Sequence, residues 1–111
     1  MANKYRNAKV DLTTTDVTTL YTVPSDSRAI VKSILVSDDS GSGDSITVTI
    51  TDASSNVFSL FKSKTVGTNA TEQLLSEPLI LQESEILKVT ATTADRLHVV
   101  ASILELNRED R

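Results

Sequence analysis

Catalysis in this chain would depend on His98, its single histidine and the side chain best suited to act as a base near neutral pH. His98 lies within residues 96–106, where apolar residues alternate with others in the pattern of a β-strand. A lone histidine in a strand is more often a packing or surface residue than a base, and a metal site would need carboxylate partners that cannot be placed beside it from sequence. We therefore predict no catalytic residue and no metal ligand at His98.

Two pairs of carboxylates, Asp38 with Asp39 and Glu83 with Glu85, have the residue types used in glycoside hydrolysis. Such enzymes hold two carboxyl groups about 5–10 Å apart across a sugar cleft. Both pairs fall in polar segments typical of turns, where carboxylates are solvated. The sequence also lacks a glycine-rich motif for phosphate. We predict a protein that is not an enzyme and that uses no cofactor.

Residues 38–44, DDSGSGD, place carboxylates among small residues, which is a spacing that calcium could use. A helix–loop–helix calcium site closes with a bidentate glutamate at its twelfth position, and Thr49 occupies that position when counting starts at Asp38. Glycine permits positive φ, and aspartate and serine solvate turns. The sequence favours a flexible turn, with a cation site as the alternative.

The N-terminal segment carries the candidate partner-binding residues, Lys4, Tyr5, Arg6 and Lys9. Either this segment is a frayed terminus, or it becomes ordered against an acidic partner surface with Tyr5 as its anchor. The first interpretation is favoured for the isolated protein. Under the second, these four residues contact the partner.

The composition limits the classes of function. A chain of 111 residues with a net charge of −4 forms one domain and is a poor match for nucleic acid or an anionic membrane. The absence of cysteine excludes disulfides and thiolate chemistry. The start lacks the apolar core of a secretory signal, and no apolar run approaches the ~18 residues of a membrane span. We expect synthesis in a cytoplasm.

Alternating and doubly apolar segments predict β-strands. In residues 45–52, Ile46, Val48 and Ile50 alternate with threonines, which predicts one buried and one hydroxylated face. Residues 29–36 and 96–106 are apolar on both faces, which favours central strands covered on both sides, with a neighbouring subunit as one possible cover.

Connections between these segments predict two hairpins. Residues 28–52 are interpreted as a hairpin of two strands around the 38–44 loop. Residues 45–52 and 57–64 form a second hairpin, in which Lys62 and Lys64 protect an edge.

Seven or eight short strands at near-even spacing predict an all-β fold, an antiparallel β-sandwich or a jelly-roll-like barrel. We expect the first strand to begin at Val10. The predicted organisation is a polar N-terminal arm over residues 1–9, one β-sandwich domain over residues 10–106 and a charged tail over residues 107–111.

Several segments of the chain resemble small virion structural proteins of tailed bacteriophages, in which a strand like TLYTVP, a short turn and a strand like AIVKSI recur. The resemblance covers residues 10–106 and consists of strand-and-turn patterns, not chemical motifs. Its segments are LYTVP (20–24), RAIVKSI (28–34), LLSEPLIL (74–81), EILKVTA (85–91) and ILEL (103–106).

This resemblance implies a capsid decoration, or cement, protein on the outer surface of the virion. It implies binding to the major capsid protein and a homo-oligomer, with a trimer favoured. Alternatives are a tail, neck or fibre-attachment protein of the virion, or a carbohydrate- or cell-surface-binding module. The last would usually carry aromatic platforms, and the chain has only four aromatic residues, Tyr5, Tyr21, Phe58 and Phe61.

Overall fold

The computed structural model describes residues 3–107, which form β-strands and connecting turns. No helix in this range is long and apolar enough to cross a membrane. The strands are β1 (Asn3–Asp11), β2 (Thr18–Thr22), β3 (Ser27–Asp38), β4 (Asp44–Thr51), β5 (Val57–Val66), β6 (Thr71–Gln73), β7 (Leu79–Leu81), β8 (Ile86–Ala91) and β9 (Leu97–Asn107).

The strands form two antiparallel sheets with the order of a jelly roll. Sheet A has the order β1-β9-β3, and the short β6 and β7 both pair with the remaining edge of β3; sheet B has the order β2-β8-β4-β5. If β6 and β7 count as one interrupted strand, the first strand pairs with the last, the second with the last but one, and so on inward to the β4–β5 hairpin. The prediction of an all-β sandwich or jelly-roll-like fold is confirmed.

Alternation along each strand creates the core between the sheets. Ile46 and Val48 on β4 point inward, and Thr47 and Thr49 between them are partly exposed, as the sequence predicts. The fully buried side chains of large volume include Leu12, Ile34, Ile46, Leu81, Leu87, Leu97 and Ile103. Because these residues come from both sheets, the core is a single layer that joins them.

The two doubly apolar strands, β3 and β9, lie side by side in the centre of sheet A, as predicted. Their pairing contains a bulge between Val31 and Ser33 that inserts Lys32 as an extra residue. The bulge changes which residues face inward: Ala29 and Val31 are buried before it, and Ile34 and Val36 after it. The alternation of inward and outward side chains along β3 is therefore broken at Lys32.

The prediction of a hairpin over residues 28–52 is wrong, because β3 belongs to sheet A and β4 to sheet B. The 38–44 loop crosses from one sheet to the other. A polar loop with glycine is compatible with a hairpin turn and with a connection between sheets. In this fold β9 pairs with β3 along its whole length, and β4 joins the other sheet. The second hairpin, β4–β5, is present, and its turn is held by the Asp52 carboxylate, which accepts the N–H groups of Ser54 and Asn56.

The first strand begins at Asn3, not at Val10. Residues 3–9, expected as part of a polar arm, pair with β9 from Asn3↔Leu106 to Lys9↔Val100. This pairing uses backbone groups at a sheet edge, where side chains on both faces stay largely exposed and leave no apolar alternation to detect. Residues 1–2 of the predicted arm and 108–111 of the predicted tail lie outside the described range, and Asn107 is the last residue of β9.

Candidate partner-binding face

The outer face of sheet A carries a row of apolar side chains that crosses the whole sheet. Strand registers place Tyr5 beside Leu104, Leu104 beside Ile30, and Ile30 beside Ile80. Tyr5 is 79% exposed and Ile80 is 52% exposed. Cross-strand neighbours of this kind lie about 4.5–5.5 Å apart, so the four side chains form one continuous strip from edge to edge.

A second apolar element lies on the same face, nearer the other end of the strands. Leu35 and Val100 are register partners and are 39% and 36% exposed. Small or amide side chains separate this pair from the row of four. They are Asn7, which pairs with Ser102, and Ser33, which also pairs with Ser102. The result is a shallow polar hollow with an apolar border on each side.

The charges on this face are mostly positive, although the whole chain has a net charge of −4. Lys9 continues the register of Val100, and Arg28 that of Leu106. The bulge residue Lys32 lines the hollow with Tyr5 and Asn7. A face of this kind is suited to a partner surface that is apolar at its centre and acidic at its border.

His98 lies on this outer face and is the second residue of β9. Its Nε2 is 3.3 Å from the Asp11 carboxylate, and the His98 and Asp11 side chains are 44% and 62% exposed. Within residues 3–107, no group of three or more histidine, aspartate or glutamate side chains is arranged to hold a metal ion.

The four predicted partner-binding residues do not form one cluster. Tyr5 and Lys9 lie on the outer face of sheet A, and Lys4 and Arg6 alternate with them toward the inner face. The Arg6 guanidinium ion-pairs with the buried Glu105 carboxylate at 2.9 Å. Tyr5 and Lys9 are therefore available to a partner, and Arg6 has a structural role.

Glu105 is the centre of a polar network between the sheets that the sequence analysis missed. Its second carboxylate oxygen accepts the Tyr21 hydroxyl from β2 on the facing sheet. Burial, followed by the hydrogen bond to Glu105, raises the pKa of Tyr21 well above its usual range. One signal was available: Glu105 continues the inward series that includes Ala101 and Ile103, so a carboxylate at that position requires a buried partner.

The 38–44 loop is organised by Asp38 itself. The Asp38 carboxylate accepts the N–H groups of Ser40, Gly43 and Asn69, and the Ser40 hydroxyl at 2.6 Å. These hydrogen bonds hold the pKa of Asp38 well below its usual range. Gly43 has a φ of +71°, and a Cβ there would lie 3.1 Å from the Val66 carbonyl oxygen. The loop therefore has a defined conformation between the two sheets, and the Asp38 carboxylate is occupied by hydrogen bonds from the protein.

Two further candidate carboxylates, Glu85 and Asp44, accept hydrogen bonds in turns. Glu85 accepts the N–H of Gln82 at 2.8 Å, and Asp44 accepts the N–H of Thr93 at 2.8 Å. These contacts close the loops that lead into β8 and β9. These contacts and the Asp11–His98 pair stabilise loops and strand ends of the sandwich.

Comparison with known proteins finds similarity in fold. No protein-family model matches the chain, and no curated protein matches it. The fold is similar to that of a chain in the acidic stable capsid structure of Helicobacter pylori bacteriophage KHP30, with a TM-score of 0.60, 12% identity and coverage of 96% of this chain and 89% of that one.

A second fold neighbour comes from Bacillus endospore appendages, described as a novel family of disulfide-linked pili. The TM-score is 0.53 at 12% identity, and the alignment covers 96% of this chain and 91% of the other. Both neighbours therefore span the whole sandwich, and both come from large assemblies of protein subunits. A fold neighbour in a phage capsid agrees with the resemblance to phage virion proteins.

Proposed function

We propose that the protein is a structural component of a bacteriophage virion that binds the outer surface of the capsid and stabilises it as a decoration, or cement, protein. The observation that carries this proposal is the apolar row on the outer face of sheet A, defined by Tyr5, Leu104, Ile30 and Ile80. The fold neighbour from the KHP30 capsid and the family resemblance support the same role.

Binding by this face follows from ordinary interface energetics. Removing apolar surface from water is worth about 25 cal/mol per Å², and the exposed row offers that surface in one strip. Lys9, Arg28 and Lys32 around it add orientation and speed of association with an acidic border. A shell offers many equivalent sites, so an oligomer that binds several at once gains from multivalency.

The pilus-like neighbour suggests a different kind of assembly, in which copies are joined by disulfides. This chain contains no cysteine, so links of that kind cannot form between its copies. Non-covalent attachment to a larger shell fits the chemistry of the chain better.

The test of location is an electron-microscopy map of the virion. A decoration protein is expected at many copies over the whole outer shell. A handful of copies at one vertex would overturn the decoration role and support the tail, neck or fibre-attachment alternative.

The test of the binding face uses capsids that lack the protein, to which purified protein is added before sedimentation. The double variant Tyr5→Ser with Ile80→Ser is expected to lose most binding, because it removes both exposed ends of the apolar row. The matched control, Thr19→Ala with Ser59→Ala, changes the corresponding edge strands of sheet B and should bind normally. Equal binding by the two double variants would exclude this face.

A further inference from the structure

β1 is the one long and regular open edge in the described part of the chain. It spans nine residues and pairs with β9 with no break in register. The other edges are irregular: β2 and β5 contain register shifts, and β6 and β7 are short and separate. Regular edges present backbone N–H and C=O groups that can pair with another strand.

We propose that β1 pairs with β1 of a second copy of this chain, antiparallel, about a two-fold axis at Asn7. Asn7 is the middle residue of Asn3–Asp11, so this register pairs the whole strand. The outer faces of both sheets A then lie on the same side and form one continuous sheet. The occupant of the edge is therefore the protein itself.

The charges of β1 favour this register. With the axis at Asn7, Tyr5 lies opposite Lys9 of the second copy, which allows a cation–π contact twice in the dimer. Lys4 lies opposite Val10, and Arg6 lies opposite Ala8, so no two like charges face each other directly.

Neighbouring registers are worse. An axis at Arg6 would place two guanidinium groups directly opposite each other, which is destabilising. An axis at Ala8 would leave Asn3 and Lys4 beyond the end of the partner strand and place the Tyr5 ring opposite Asp11. The sequence of β1 therefore selects one of the alignments that keep both outer faces on the same side.

The same register extends the apolar face. The row that ends at Tyr5 in one copy continues through Lys9 into Val100 and Leu35 of the second copy. One sheet face, four strands wide and nine residues long, measures about 19 by 30 Å, which is below the roughly 800 Å² that each partner contributes to a standard interface. Two joined faces exceed that area.

The first experiment measures mass in solution and needs no capsid, so it is independent of the proposed function. The protein is expected at twice the 12.0 kDa of one chain. Asn7→Lys puts two ammonium groups at the axis and should weaken the dimer about tenfold or more. Asn7→Ser is the neutral control and should remain dimeric. In one chain Asn7 is exposed and its side chain accepts a long hydrogen bond, 3.4 Å, from Lys9, so folding should not change.

Charge complementation makes the test specific for the register. Asn7→Asp should weaken the dimer by a similar factor, and an equimolar mixture of Asn7→Lys and Asn7→Asp should form the mixed dimer more tightly than either variant pairs with itself. Only an alignment with residue 7 opposite residue 7 predicts this recovery. A monomer at all concentrations, or the trimer that the family resemblance favours, would overturn the proposal.

Cross-linking gives a second, direct readout in a chain that has no cysteine of its own. Asn7→Cys should form a disulfide-linked dimer on mild oxidation, since paired Cα atoms in a sheet lie within the 4.4–6.8 Å that a disulfide spans. Lys4→Cys on the same strand is the control, because its two copies would be far apart. Equal cross-linking of both variants would contradict the two-fold axis at Asn7.

Discussion

The outer faces of the two sheets occupy equivalent places in the sandwich, and their central rows of side chains differ in chemistry. Sheet A presents a row of Tyr5, Leu104, Ile30 and Ile80, one residue from each strand position. The corresponding row of sheet B is Thr19, Lys88, Thr49 and Ser59. Strand formation does not require the apolar set, because threonine fits the pleat as well as large apolar side chains do.

The difference separates what the fold requires from what a partner requires. A half-solvated sheet needs only one apolar face, and the central row of sheet B fits that arrangement, although Val57 and Phe58 at the start of β5 are exposed. Sheet A has two, so its outer row goes beyond the needs of folding. The apolar face is therefore the place where mutations should affect assembly more than stability.

The largest effect is expected when the row of sheet A is replaced by the row of sheet B. Binding to capsids that lack the protein should fall at least about a hundredfold, since buried anchor residues at interfaces are worth about 2 kcal/mol or more each. Co-sedimentation measures this loss, and a cooperative thermal transition shows that the variant folds. The changes are Tyr5→Thr, Leu104→Lys, Ile30→Thr and Ile80→Ser.

The exchange in the opposite direction is its control. Writing the apolar row into sheet B should increase self-association but should not restore capsid binding to the first variant. Normal binding by the sheet A variant would show that another surface contacts the shell.

The next effect separates two neighbours on β1. Arg6→Ala should lower the free energy of unfolding by about 1–3 kcal/mol, because Glu105 stays buried without its cation. Tyr5→Ala should change it by less than about 0.5 kcal/mol, because the ring is exposed. Urea unfolding gives both free energies. Capsid binding should weaken more in Tyr5→Ala than in Arg6→Ala. Equal losses of stability in the two variants would contradict the assignment of a structural role to Arg6 and an exposed, partner-binding role to Tyr5.

A smaller effect concerns Asp38, which stabilises the loop between the sheets and is remote from the outer row. Asp38→Asn should lower the melting temperature at pH 7 by about 5–10 °C. The pKa of Asp38 is lowered in the folded protein, so its stabilisation is present above the unfolded pKa of about 4 and is lost as pH falls below that value. The melting temperatures of the two proteins should therefore approach each other progressively as pH falls below about 4.

Asp39→Asn is the matched control for the loop, because Asp39 is exposed and adjacent. Its melting curve should follow that of the unchanged protein at every pH. If the difference between Asp38→Asn and the unchanged protein were constant with pH, the carboxylate charge would not be its cause.

The smallest effect is that of the Tyr21 hydroxyl, which joins the inner faces of the two sheets. Tyr21→Phe should cost about 1 kcal/mol at pH 7. The pKa of Tyr21 is raised in the folded protein, so its contribution is complete below the unfolded pKa of about 10 and is lost as pH rises above it. Urea unfolding should show that the stability difference between Tyr21→Phe and the unchanged protein narrows from neutral to alkaline pH. The control Tyr5→Phe should be as stable as the unchanged protein.

Much of the architecture could be predicted because it depends on local alternation. The pattern of Ile46 and Val48 gives β4 its buried face, and two-sided apolar segments identify β3 and β9 as central strands. The hairpin over residues 28–52 was wrong because loop composition does not encode which sheet the next strand joins. β1 was placed too far along the chain because its pairing rests on backbone groups.

The candidate face could be predicted only in part. Tyr5 and Lys9 were identified by type, but Lys4 and Arg6 alternate with them and face the other way. The remaining members of the row, Leu104 among them, come from strands distant in the chain, so their alignment depends on register. Register between strands distant in the chain depends on how their buried faces align in the assembled sheet, so neither segment alone predicts the pairing of Leu104 with Ile30.

The broken strand opposite β1 has a consequence for how far copies can add to one another. At the end of β6 the Gln73 side chain takes the place of a strand carbonyl and accepts the N–H groups of Ile34 and Leu75. Pro78 precedes β7. Such an interruption gives an incoming strand no continuous ladder to join. If pairing at β1 joins two copies, growth stops there, and the product is a finite pair, never a fibre.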